Sequence, residues 1–206
     1  MSYIPSVNIE QGLSDDFQYV VTSNSQTVWG NIISSFNDGL HSFTIVGNYG
    51  TGKSSFIAAL QRDLLKGTNV LVQRKDVLGC SKFEFINIVG DYESLSTLLA
   101  KKLGIDTFAT TEEVIEALNQ KYNALKRQNK FLFIVVDECG KVLEHAAAHN
   151  PDKELYKLKK LAEYVNAKHR NIILLTTLHQ NFGTYSYKLN DAQRNEWMKI
   201  KGRLKE

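Results

Sequence analysis

Gly47-Asn48-Tyr49-Gly50-Thr51-Gly52-Lys53-Ser54 is the stretch on which the reading of this chain turns. It fits G-x-x-x-x-G-K-[ST], a glycine-rich loop that joins a buried strand to a helix and closes its backbone N–H groups on phosphate oxygens. Ser42-Phe43-Thr44-Ile45-Val46, just before it, is short, apolar and β-branched, as a parallel strand covered on both faces is. Ser54 to Lys66, just after it, carries Phe56, Ile57, Leu60, Leu64 and Leu65 at helical spacing. Strand, loop and helix in that order distinguish the motif from a chance turn ahead of an amphipathic helix.

Each residue type in the loop has an expected task. Gly47, Gly50 and Gly52 permit backbone angles that a Cβ forbids, and the helix that follows points its positive end at the same anion. Lys53 is expected to reach the β- and γ-phosphates, and the Ser54 hydroxyl to ligate Mg²⁺. Asn48, Tyr49, Thr51 and Ser55 complete the expected nucleotide-binding set, Thr51 and Ser55 through backbone or hydroxyl donors.

A second stretch supports the first. Phe131-Leu132-Phe133-Ile134-Val135-Val136 is a run of six apolar residues ending in Asp137-Glu138, a Walker B pattern in which a buried strand presents carboxylates beside the phosphate loop. Asp137 is expected to hold the Mg²⁺ shell, commonly through water, and Glu138 to orient and polarise an attacking water. Seen alone, the stretch also reads as an acidic turn capping a core strand. Asp137-Glu138-Cys139-Gly140 matches the D-x-x-G of GTPases, but no Asn-Lys-x-Asp element reads guanine, since Asn129-Lys130 is followed by Phe131-Leu132. A Glu directly after the Asp favours hydrolysis of ATP.

The rest of the chain alternates strand and helix patterns. Residues 1–24 read as an extended N-terminal arm and 25–206 as one P-loop ATPase core. A helix is expected over Gln26–Phe36, with Trp29 there or Tyr19 before it as an adenine cover or a core aromatic. Short strands are expected at Asn69–Val72 and Phe83–Val89. Asp91 is expected to cap a helix lined by Leu95, Leu98, Leu99 and Leu103, and Thr111 the next. A further helix over Asp152–Lys168 precedes a buried strand over Asn171–Thr177. The pattern predicts an α/β three-layer sandwich with a mainly parallel sheet, of the additional-strand P-loop NTPase class.

In that class the added strand lies between those of the two phosphate motifs, and a polar residue at its end senses the γ-phosphate. Here the strand ends in Thr176-Thr177-Leu178-His179-Gln180, so Thr177, His179 and Gln180 are the sensor candidates. A polar loop closing the strand is the equal alternative. The expected catalytic set is thus Glu138, Lys53, Thr177 and His179.

Composition narrows the classes. The 206 residues, 43% hydrophobic, suffice for one substantial core. A net charge of +3 is too mild to argue for nucleic acid, and Lys199, Lys201, Arg203 and Lys205 read first as a solvated helix face. Cys80 and Cys139 have no framework or metal spacing, which fits a reducing compartment. With no stretch of about 18 apolar residues and no signal-peptide pattern, a cytoplasmic location is expected.

The runs Ile45 to Phe56, Asp-Glu-Cys-Gly-Lys-Val-Leu-Glu at 137–144, Leu-His-Gln at 178–180 and Gln-Arg-Asn-Glu-Trp at 193–197 resemble the AAA-type bacterial ATP-binding proteins over about residues 20–206. That resemblance implies Mg·ATP binding and hydrolysis driving conformational change in a larger assembly. STAND-type ATPases of related architecture act in anti-phage defence. It further implies a homo-oligomer with an arginine finger in trans, Arg194 or Arg203, each of which reads first as a surface salt bridge. Lys141 and Glu144 are candidates for an intersubunit or coupling surface. The family's fifth strand and helical lid are missing from the pattern, and the chain is expected to stop inside a helix, as a truncated module would. Three rivals stay open: a nucleotide-gated switch with negligible turnover, a kinase, which lacks an arginine-rich lid here, and a DNA-dependent motor or loader.

Overall fold

The computed structural model describes residues 7–11, 17–72 and 78–206. In chain order it contains α1 (Ser23–Asn37), β1 (Ser42–Val46), α2 (Lys53–Lys66), β2 (Lys82–Val89), α3 (Leu95–Leu103) and α4 (Thr111–Arg127). There follow β3 (Lys130–Asp137), α5 (Cys139–Ala148), α6 (Pro151–Val165), β4 (Ile172–Leu178), a 3-10 turn (Phe182–Ser186) and α7 (Asp191–Lys201).

The four strands form one sheet in the order β1-β4-β3-β2, every pair parallel. This is the expected α/β fold, and β4 does lie between the strands that carry the two phosphate motifs. Because alternate residues of a strand face opposite ways, β3 divides its six-residue apolar run between two cores. Leu132, Ile134 and Val136 join the cluster under α3 to α7. Phe131, Phe133 and Val135 join the cluster under α1 and α2. Helices therefore cover both faces, and the central strands read as unbroken apolar runs for that reason.

Several element boundaries differ from expectation, each for a local reason. The first helix begins at Ser23 rather than Gln26, because Thr22 and Ser25 form a reciprocal capping box. Thr110, not Thr111, caps α4, paired in the same manner with Glu113. Asp91 does not cap α3; Ser94 occupies that position, and the Asp91 carboxylate accepts from the Tyr92 N–H instead. The helix expected to run to Lys168, α6, closes at Val165 with Asn166 as C-cap. After Asp137-Glu138 the chain enters the helix α5 at once, with Glu138 as its N-cap.

The proposed strand at Asn69–Val72 is irregular. The fully buried Asp63 carboxylate accepts the N–H groups of Val70, Leu71 and Val72 at 2.9, 2.6 and 2.8 Å, together with the Thr68 hydroxyl. N–H groups converging on one carboxylate cannot also form a ladder, so the β-branched pattern there does not become a strand.

Nor do the last residues continue a helix. After α7, Lys205 bridges Phe43 in parallel along the outer edge of β1: Thr44 N–H donates to Lys205 at 2.7 Å and Lys205 N–H to Ser42 at 3.0 Å. Of the expected N-terminal arm, residues 1–6 and 12–16 lie outside the described residues. Ile9 and Phe17 are buried, and Tyr19 and Trp29 pack partly buried against the second core, the core alternative for both. Among the described residues no helix is long and apolar enough to cross a membrane.

Candidate functional site

Parallel strands bring their C-terminal ends to one edge of the sheet, and the polar residues of both motifs collect there. β1 ends at Val46 and α2 starts at Lys53, with the glycine-rich loop between them. Gly50 and Gly52 take φ of 75° and 83°, the left-handed region that side chains disfavour. Gly52 is the N-cap of α2, so the first turn of that helix begins on a residue with no side chain to occupy its N–H groups.

Lys53 folds back over the loop. Its Nζ donates to the carbonyl oxygens of Gly47 and of Asn48, the latter at 2.9 Å, and lies 3.5 Å from His179 Nδ1. Partial burial lowers the Lys53 pKa, while the nearby Asp137 and Glu138 carboxylates act to raise it. His179 is also lowered, by burial first and by the Lys53 charge second, which favours a neutral imidazole at neutral pH. The Tyr49 ring, 76% exposed, stacks on His179 with centroids 3.5 Å apart. Thr51 Oγ1 donates to the Asn48 carbonyl at 2.8 Å, and Ser54 and Ser55 open α2 half-buried.

The carboxylates stand on the neighbouring strand. Asp137 is 4% exposed, and its Oδ1 accepts the Thr177 hydroxyl at 2.6 Å and the Glu138 N–H at 3.1 Å. Thr177 Oγ1 in turn accepts the same Glu138 N–H at 2.9 Å. Of the three residues proposed as sensors, Thr177 is therefore committed to the Asp137 turn, His179 lies beside Lys53, and Gln180 is exposed. Glu138 has φ of 53°, and its carboxylate pairs with Lys141 Nζ at 2.7 Å, which raises the Lys141 pKa. Cys139 is buried, its thiol pushed up to about 12 by desolvation.

Two contacts that shape this turn had no signal in the motifs. Gly90, just past β2, donates to the Asp137 carbonyl at 2.6 Å, and a Cβ there would run into the Glu138 carbonyl. Tyr185, on the 3-10 turn, places its hydroxyl where a Gly140 Cβ would stand, 2.5 Å from it. The arginines suggested as fingers both make contacts within the chain. Arg203 pairs with Glu163 at 3.1 Å, and Arg194 donates to the Ser186 and Tyr187 carbonyls at 3.4 and 3.1 Å. Glu144 is exposed on α5.

A parallel sheet with Lys53, Asp137 and Glu138 gathered at its C-terminal edge defines a P-loop, ATPase-like nucleotide-binding domain. Residues 18–185 match the family described as "Type III restriction enzyme, res subunit", and the chain belongs to it. Comparison with curated proteins finds no match. Among solved structures, the chain resembles the ORC2 protein of Aeropyrum pernix in its ADPNP–ADP complexes, at 13% identity and a TM-score of 0.56, over 89% of this chain and 48% of that one. The ADP form of the same protein gives 14% identity and a TM-score of 0.57, over 94% and 50%. The chain thus spans about half the length of these structures, and at this identity the likeness concerns the fold.

Proposed function

We propose that this domain binds Mg·ATP at the 47–54 loop and hydrolyses it. The observation that carries the reading is the convergence of Lys53, the His179 imidazole and the Asp137-Glu138 carboxylates at one end of the sheet. In this reading the loop N–H groups and Lys53 hold the phosphates, Lys53 exchanging its two carbonyl partners for phosphate oxygens. Asn48, Tyr49, Thr51 and Ser55 line the same loop. Ser54 and Asp137 offer a hydroxyl and a carboxylate, a hard oxygen donor set that suits Mg²⁺. The metal, when bound, would neutralise charge that develops on the phosphates.

In this reading Glu138 orients and polarises the attacking water, and the neutral His179 contacts the γ-phosphate. Thr177 acts at one remove, holding the Asp137 carboxylate and the backbone at Glu138. The chemistry asked of the protein is positioning and charge stabilisation. The setting proposed for it is cytoplasmic, as an AAA- or STAND-like module driving a larger assembly, with Arg194 or Arg203 serving a neighbouring subunit once its internal contacts are broken.

A second reading, a nucleotide-gated switch with negligible basal turnover, is favoured by a specific feature. Both groups most needed for turnover are engaged internally: Lys53 with the loop carbonyls, Glu138 with Lys141. The family's name, that of a restriction-enzyme subunit, adds the proposal that duplex DNA is the activator.

Steady-state ATP turnover per chain across a wide protein concentration range, with Glu138→Gln as control, tests these readings. Turnover abolished in the mutant supports hydrolysis, and a rise per chain with concentration supports a site completed between subunits. ATP binding with flat, mutant-like turnover supports the switch. Turnover rising on added duplex DNA and falling with salt supports the DNA-dependent form.

A further inference from the structure

The Tyr185 hydroxyl sits between two segments that the nucleotide reading assigns to the same phosphate. On one side it meets the backbone at Gly140, in the first turn of α5, so closely that a Cβ there would stand 2.5 Å from the oxygen and 3.0 Å from the ring carbon that bears it. On the other it faces the backbone N–H groups of His179 and Gln180, in the loop after β4, which draw its pKa down against the burial that raises it. Tyr185 is 7% exposed and sits in the larger core.

The 3-10 turn that carries Tyr185 is itself fixed. Trp197 of α7, with no exposed surface, donates from Nε1 to the Phe182 carbonyl at 2.9 Å and packs its ring against Phe182. A hydroxyl carried on a rigid turn and set between the start of α5 and two N–H groups limits where both can stand. The glycine at 140 is what lets the Asp137-Glu138 turn come near enough to share that anchor.

We infer that Tyr185 is a positioning residue that sets the His179-Gln180 loop against the Asp137-Glu138 turn, and so determines how well the site tells a nucleoside triphosphate from a diphosphate. In the nucleotide reading only the γ-phosphate reaches both segments, because the α- and β-phosphates lie in the loop. Loosening the anchor therefore weakens triphosphate binding and leaves diphosphate binding alone. This inference rests on the nucleotide-site reading above.

The test is calorimetric titration of the full chain with ADP and with the β,γ-imido analogue of ATP, so that turnover plays no part. The wild type is expected to prefer the triphosphate analogue. Tyr185→Phe, which keeps the ring and removes the anchor, is expected to bind ADP within about twofold of wild type and to lose about tenfold in affinity for the analogue. Gly140→Ala, which displaces the same hydroxyl from the other side, should reproduce that selective loss without altering Tyr185. A preference unchanged in both variants overturns the inference, as does an equal fall in both affinities, which is the mark of packing damage. A wild type that binds both nucleotides equally overturns it while sparing the nucleotide site; a wild type that binds neither overturns the site and the inference together.

Discussion

Thr177 Oγ1 donates to Asp137 Oδ1 across 2.6 Å, and both side chains are buried between strands that meet only in the folded sheet. The same hydroxyl accepts the Glu138 N–H, so one oxygen sets both the direction of the Asp137 carboxylate and the φ of 53° at Glu138. Thr177→Val keeps the volume and removes the oxygen. It is expected to lower stability by about 1–3 kcal/mol, the cost of buried partners left unsatisfied, and to reduce ATP turnover. Thr177→Ser should stay near wild type in chemical denaturation and in turnover. If Val and Ser behave alike, the hydroxyl is not what holds the turn.

Lys53→Ala removes the ammonium that folds over the loop. Charge-assisted hydrogen bonds to phosphate are the stronger kind, and losing about 3 kcal/mol of them is a loss of roughly a hundredfold in affinity. Titration calorimetry with ATP checks it; an unchanged dissociation constant would sink the assignment of the loop.

Lys141→Ala frees the Glu138 carboxylate. The two side chains are 50% and 38% exposed, and ion pairs of that kind contribute little to folding, so the thermal midpoint should move by no more than a degree or two. Basal ATP turnover is expected to rise severalfold, because Glu138 no longer has to leave an ion pair to reach water. A fall in turnover instead would mean that Lys141 orients the carboxylate productively.

Asp63→Ala is expected to destabilise the protein by about 2–4 kcal/mol, since it strips the acceptor from the N–H groups of Val70, Leu71 and Val72. Nucleotide affinity should be unaffected, as Asp63 lies on the far end of α2 from the loop. Denaturant titration beside nucleotide titration separates the two effects.

Three imidazoles are lowered below their ordinary 6.5, each chiefly by burial: His41, His145 and His179. Unfolded, each takes up its proton near 6.5; folded, each resists it to lower pH. The unfolded state therefore binds more protons in that window, and stability present above 6.5 is lost as the pH falls through the folded values. Each group can supply a slope of at most about 1.4 kcal/mol per pH unit. Thermal midpoints measured from pH 7.5 to 5 should fall, and His41→Gln, at the most buried of the three, should flatten the profile.

Much of this was legible from local pattern. β1, the glycine loop and α2 are contiguous in the chain, and their periodicity carries its own meaning. The run at 131–136 is apolar on both faces because helices cover both. The placement of β4 between β1 and β3 followed from recognising the class. Other features lay outside such patterns. Tyr185 stands in Gly183-Thr184-Tyr185-Ser186, a polar stretch with neither a strand's nor a helix's period, and the segments it faces are 179–180 and Gly140. Gly90 reads as the end of a strand until β3 is laid beside it. Asn69–Val72 has a strand's composition, but a buried carboxylate six residues upstream takes its N–H groups.

By itself, the sequence determined the class of the domain and pointed to the residues proposed to meet a phosphate, because phosphate binding at a helix start depends on a few adjacent residues and their backbone angles. Only the tertiary structure decided what those residues touch without it: Thr177 on Asp137, His179 beside Lys53, Tyr185 against Gly140. Such contacts join segments tens of residues apart, and their geometry comes from strand order and from packing on two cores, which no local spacing encodes.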